Sequence, residues 1–225
     1  MAERAAGDDG GRHDHYFQEP PAILSRNVAV GVRLLAGAMV SFFGCFLFAY
    51  VYLRERDSSS AWRPAGVHVP LGTGIAVAAC IVLAAVACGA SLPALRRLGE
   101  ARWLLAIALV QLLGLAALGV QCYQWAVLDF GPNSGAYASV FICWTGFYAG
   151  LVLPCALYWT QTALSASFRH RHHDAPGTLV AVAGMPGGEA AVRELREGYG
   201  PSLAFFWYVV AGIEIVTFAL LYLAR

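Results

Sequence analysis

Of 225 residues, 59% are hydrophobic and only 13% charged, against about 45–50% apolar and about 25% charged in soluble globular domains. A water-soluble globule is excluded, and recurring uncharged apolar runs long enough to cross a bilayer, which takes about 20 residues, indicate a polytopic membrane protein. All 15 basic residues are arginine and the net charge is +1, so the chain offers no broad basic surface and nucleic acid is not an expected partner.

The chain opens with a polar stretch over 1–26 that carries Asp8, Asp9, His13, Asp14 and Glu19 before Pro20 and Pro21. It lacks the short apolar core of a cleaved signal peptide and is expected to be a retained, disordered tail. The remainder, 27–225, is expected to be one five-helix transmembrane domain with spans over 28–53, 72–92, 103–128, 137–163 and 203–223. These runs are apolar on every face, and in lipid a helix satisfies its own backbone hydrogen bonds where an open strand does not. The expected fold class is therefore all-α.

Pro154 lies inside the fourth run and predicts a kink rather than a break, because the ring removes one donor and crowds the preceding turn. A loop over about 165–200 separates the last two spans. Within it, Glu189 to Gly198 reads as a separate short helix, with Glu189 four residues from Arg193 and Gly198 as the stop. Ten arginines flank the spans on the amino-terminal side and four on the other, which predicts a cytoplasmic amino terminus and an external carboxyl terminus. The loop then lies in the cytoplasm.

Ionisable groups inside a span are costly, and each one present calls for a physical reason. Glu214 is the twelfth residue of the last run, close to the bilayer centre. It is either a proton-carrying carboxyl or a protonated glutamic acid hydrogen-bonded across a helix interface. Arg33, one to two turns into the first span, is placed to reach headgroups by snorkelling, and Arg54 and Trp62 are further candidate lipid-headgroup contacts. Gln121 and Gln124, near the outer end of the third span, together with Tyr148 and Tyr208, are candidate helix–helix polar contacts.

None of the six histidines lies in a span, and the six cysteines, all in apolar runs, show no metal-ligand spacing. The cluster Arg169-His170-Arg171-His172-His173 reads as a basic flank of the fourth span rather than a metal site. No catalytic residue, metal site or cofactor site is expected in this chain, and no Walker loop, nucleophile elbow or HExxH occurs in it.

Several stretches carry a resemblance. The first helix ends Phe46-Leu47-Phe48-Ala49-Tyr50-Val51-Tyr52-Leu53-Arg54, followed by Trp62, Pro64, Gly66 and Pro70. The third ends Gly119-Val120-Gln121-Cys122-Tyr123-Gln124-Trp125, and the fourth holds Tyr137-Ala138-Ser139-Val140-Phe141 and Thr145-Gly146-Phe147. The last contains Phe206-Trp207-Tyr208-Val209-Val210 and Leu221-Tyr222-Leu223. In order, these resemble the AYFxLR, W-P-P-G, QxxEW, YGSxF, TGFHGLH and YWHFVDVVW stretches of subunit III of the haem-copper oxidases, in its five-helix bacterial form.

The departures are systematic. Met39 stands at the glutamate of SExMFF, Tyr148 and Leu151 at the histidines of TGFHGLH, and Tyr208 and Ala211 at the histidine and aspartate of YWHFVD. Gln124 replaces a glutamate, and Glu214 stands at a usual tryptophan. The resemblance implies a non-catalytic subunit of a respiratory oxidase in the bacterial cytoplasmic membrane, packed against subunits I and II, which carry haem and copper, and binding phospholipid. The alternatives are an accessory subunit of a nitric oxide reductase, a small proton-coupled transporter using Glu214, and a transient assembly scaffold.

Overall fold

The computed structural model describes residues 21–56, 62–63, 67–97, 100–169 and 188–223. Helix α1 spans Pro21–Glu55, α2 Leu71–Arg97 and α3 Glu100–Ala126. After a 3₁₀ turn at Pro132–Ser134 come α4, Ala136–Phe147, a π turn, Tyr148–Val152, and α5, Leu153–Arg169. Helix α6, Gly188–Phe218, ends in a second π turn, Ala219–Leu223. Among the described residues, five segments are long and apolar enough to cross a membrane: Ser25–Glu55, Leu71–Pro93, Ala101–Ala126, Ala136–Leu164 and Glu197–Leu223. The chain is an all-helical, multi-pass membrane protein.

Two differences from the sequence reading have physical causes. First, α1 begins at Pro21, inside the stretch expected to be tail. Proline is tolerated in a first helical turn because its missing N–H has no helical partner there. Residues 1–20 lie outside the described residues.

Second, Glu189 to Gly198 is not a separate helix: α6 runs unbroken through Gly198 and Pro201. Gly198 lies against Ser25 of α1, where a Cβ would overlap the serine side chain, and the Ser202 hydroxyl donates to the Gly198 carbonyl at 3.3 Å. Tertiary contact thus overrides two residues that commonly stop helices in water. The loop read over 165–200 is helical at both ends, and its middle, with the histidine cluster from His170 onward, lies outside the described residues.

As expected, the fourth span stays one element, and the turn before Pro154 is a π turn. The proline ring crowds the carbonyl one turn back, and the wider turn accommodates it.

Helix α6 is the hub, packed against α1, α2 and α5, while α2 pairs most extensively with α3. Three tryptophan–threonine bridges tie the spans together. The indole N–H groups of Trp125, Trp144 and Trp207 donate to the hydroxyls of Thr145, Thr217 and Thr160 at 3.0, 2.8 and 3.0 Å. Each threonine hydroxyl spends its own proton on the carbonyl four residues back, Phe141, Ile213 and Ala156. Its oxygen is thereby left free to accept, and the bridges link α3 to α4, α4 to α6 and α6 to α5. Lipid is as apolar as a leucine side chain, so helices in a bilayer associate through such bonds and close packing, each bond contributing about 0.6 kcal/mol on average.

Helices α1 and α6 run in the same direction, with Ser25 against Gly198 near their starts and Tyr50 bonded to the Leu220 carbonyl near their ends. Arg33 and Arg54 are separated by about 31 Å of helix, close to the roughly 30 Å of a hydrocarbon core. Both helices therefore extend past the Arg33 level, α1 by about 18 Å. Glu214 falls level with Phe42 and Phe43, close to the bilayer centre.

Candidate functional site

Glu214 is only 3% exposed. Tyr148, the first residue of the π turn, lies beside it, and the Tyr148 hydroxyl donates to the Val210 carbonyl at 3.2 Å. Phe43 stands edge-on to the Tyr148 ring, and Trp144, one turn earlier, packs on Phe43 and Phe46. A carboxyl, a phenol and a backbone carbonyl thus meet inside an aromatic shell at mid-bilayer depth.

The chemistry open to this group is limited and definite. The Tyr148 hydroxyl has one proton and two acceptors. With that proton on the Val210 carbonyl, its oxygen accepts from a protonated Glu214; turned the other way, it donates to the carboxyl. The pair can hold one proton and reorient it. Beyond Tyr148 the path meets a carbonyl, which has no proton to pass on.

A second polar cluster lies at the Arg54 end. The Gln121 amide donates to the Gln124 side-chain oxygen at 2.8 Å, and Tyr222 donates to the same oxygen at 2.9 Å. The Gln124 amide donates to Thr73 at 2.8 Å, and Thr73 donates to the Pro70 carbonyl at 2.9 Å. Helices α2, α3 and α6 are thereby joined through one residue, Gln124, which is fully buried.

Beside this cluster, Tyr50 donates to the Leu220 carbonyl and Tyr137 to the Leu221 carbonyl. The last carbonyls of a helix have no N–H partners within it, and these phenols supply them. Trp62 stands edge-on to both tyrosines, with ring centroids at 5.2 and 5.8 Å, and its carbonyl accepts the Tyr137 N–H at 3.1 Å. Arg54 donates to Tyr50 at 3.3 Å, and the Arg63 guanidinium lies 4.8 Å from the Tyr137 ring centroid. Gly135, just before α4, has φ 142°, a region that side chains other than glycine's rarely enter, so the turn presenting Tyr137 depends on it.

The remaining candidates fall apart from these groups. Tyr208 is 53% exposed, and its hydroxyl rests on Gly89 of α2, where a Cβ would overlap it. Arg33 is exposed on α1. Cys88 is buried, Cys80 and Cys155 are half-buried, and the other three cysteines are exposed. Among the described residues no three of His, Cys, Asp and Glu converge. Thr145 stood within a resembling stretch, but none of the three threonines was singled out as a partner of a tryptophan. A threonine inside an apolar span was the available signal, but it does not reveal which indole faces it.

The chain matches no protein-family model and no curated protein. The class established by the fold is a five-span, all-helical membrane protein with an internal carboxyl.

Proposed function

We propose that this chain is a non-catalytic, subunit III-like component of a respiratory haem-copper oxidase in the bacterial cytoplasmic membrane. Its amino terminus faces the cytoplasm, and it associates with the subunits that carry haem and copper. The observation that carries this reading is the convergence of the resembling stretches. Tyr50, Trp62, Tyr137, Phe141 and Tyr222 come from four separate segments and form one continuous set of ring contacts at the Arg54 end. Residues that share a family pattern merely by composition have no reason to share a cluster. The arginine asymmetry supports the orientation.

In this role the chain supplies packing surface and a dry interior. Where the family places histidines and carboxylates, tyrosine, glutamine and aliphatic groups stand here, so proton supply is not assigned to it. The Glu214–Tyr148 pair serves as an internal polar contact between the fourth and last spans.

The test is complementation of cells lacking the chain, with oxygen and nitric oxide consumption measured separately in isolated membranes. The wild-type chain and Glu214→Gln, which keeps the size and a hydrogen-bonding group, are both expected to restore oxygen consumption to within about twofold of each other. Restoration of nitric oxide consumption alone assigns the chain to a reductase. Loss of a proton-driven flux in Glu214→Gln, with respiration untouched, contradicts the proposal and favours a carrier.

A further inference from the structure

The spans contain four glutamines, and they behave as two pairs. Gln121 and Gln124 are buried and bonded to each other. Gln111 on α3 and Gln161 on α5 have no hydrogen-bond partner among the described residues, and the Gln111 side-chain oxygen is buried without a donor. Both lie inside the spans. Gln111 is nine residues, about 14 Å of helix, from Arg102, and Gln161 is eight residues, about 12 Å, from Arg169.

The two amides share one edge of the bundle. A Cβ added at Gly114 of α3 would fall 2.7 Å from the Leu157 side chain of α5, so the helices touch there. Moving back along α3 from Trp125, which is bonded to Thr145, to Gly114 moves forward along the fourth span from Thr145 to Leu157. The two run antiparallel, and one further turn the same way brings Gln111 level with Thr160 and Gln161. Side chains three or four residues apart share a helix face. Gln111 therefore lies on the side of α3 that carries Gly114, and Gln161 on the side of α5 that carries Leu157. Beyond that contact the surface is open: Leu112 and Leu115 are exposed on α3, and Pro154, Tyr158 and Gln161 form an exposed row on α5. The Tyr158 hydroxyl likewise has no hydrogen-bond partner among the described residues.

We propose that this α3–α5 edge binds a second copy of the chain, with Gln111, Tyr158 and Gln161 of each copy facing the same residues of the other across a twofold axis along the membrane normal. Hydrocarbon has neither donors nor acceptors, so amides inside a span call for side chains of another helix. The chemistry of the edge selects the occupant. Its three groups are uncharged and each both donates and accepts, so no opposite charge is required and a carboxamide is its own complement. Gln121 and Gln124 make that same amide pair within the chain at 2.8 Å. Depth supplies the second argument. Copies inserted in the same sense are related by rotation about the normal, which leaves every group at its own depth. Gln111 and Gln161, already level with each other, therefore meet their counterparts in register. The Gln111 oxygen, enclosed without a donor, gains one when the amide turns toward the copy. This inference needs only the five spans and does not rest on the oxidase reading.

The experiment is single-molecule photobleaching of the full chain, labelled once at its carboxyl terminus and reconstituted in phosphatidylcholine vesicles over a range of protein-to-lipid ratios. The fraction of two-step traces is expected to rise with density above the level of chance co-occupancy. Gln111→Leu and Gln161→Leu should each lower the association constant about eightfold, since each removes two symmetry-related bonds of about threefold apiece. Neither glutamine is bonded to a described residue of its own chain, so both variants should keep wild-type helicity and unfolding. Leu34→Ala, at a position 71% exposed on α1, should change nothing. In native membranes, a photo-crosslinker at Leu112 should yield an adduct of this chain with itself, and one at Leu34 should not. Single-step traces at every density, association undiminished in the double variant, or Leu112 adducts formed solely with a different protein overturn the inference.

Discussion

Replacing Trp144 with alanine is expected to destabilise the bundle by about 3–5 kcal/mol, the range for a buried aromatic truncated to alanine. Trp144 is 1% exposed, donates to Thr217 and packs on Phe43 and Phe46, so it joins α4 to both α6 and α1. Loss of the ring leaves a cavity at this junction and leaves Thr217 without its donor. Trp144→Phe keeps most of the volume and removes only the indole hydrogen bond, and it should cost about 1–2 kcal/mol, the upper part of the range for such bonds in a bilayer. Reversible unfolding of the two variants in mixed detergent checks both values. A loss under about 1 kcal/mol for alanine would show that the α1–α4–α6 junction is not a main source of stability.

Gln124→Leu is the second large effect. The substitution removes one side chain but leaves three groups without their partner: the Gln121 amide, the Tyr222 hydroxyl and the Thr73 oxygen. A stranded buried polar group costs about 1–3 kcal/mol in a water-soluble protein. In lipid the cost is smaller, because the unfolded spans also find partners, and the expected total is about 2–3 kcal/mol. Gln121→Leu deletes only one of these bonds and should cost about a third as much. The same unfolding measurement separates the two, and equal losses would contradict the central place given to Gln124.

The number of spans was legible because a bilayer demands near-uniform apolarity over a fixed length, and that requirement leaves a mark in composition alone. The depth of Glu214 followed from the same counting. Partner choice was not legible. When every face of a helix is apolar, hydrophobic pattern no longer points to the interior, and nothing in the sequence pairs Trp144 with Thr217 or Trp207 with Thr160. Tyr148 and Tyr208 had equal standing as candidate contacts. Yet the first is fully buried against Glu214, and the second lies half exposed on Gly89.

The continuation of α6 through Gly198 and Pro201 was hidden for a related reason. Helix stop signals describe a chain surrounded by water, and here the first turns of α6 lean on α1 at Ser25. At the Arg54 end the reverse holds. Tyr50, Trp62 and Tyr137 stood out in the sequence as members of a shared pattern, and the fold brings their rings within 6 Å of Trp62 at the centre.

The most direct test of the proposed function is purification of the full chain in gentle detergent by a tag on this subunit, followed by a reduced-minus-oxidised absorbance spectrum and identification of the copurified proteins. The account predicts haem bands and, in stoichiometric amount, a large multi-span subunit that binds the haem. A colourless preparation containing this chain alone, recovered at the same yield from cells that respire normally without it, would contradict the account.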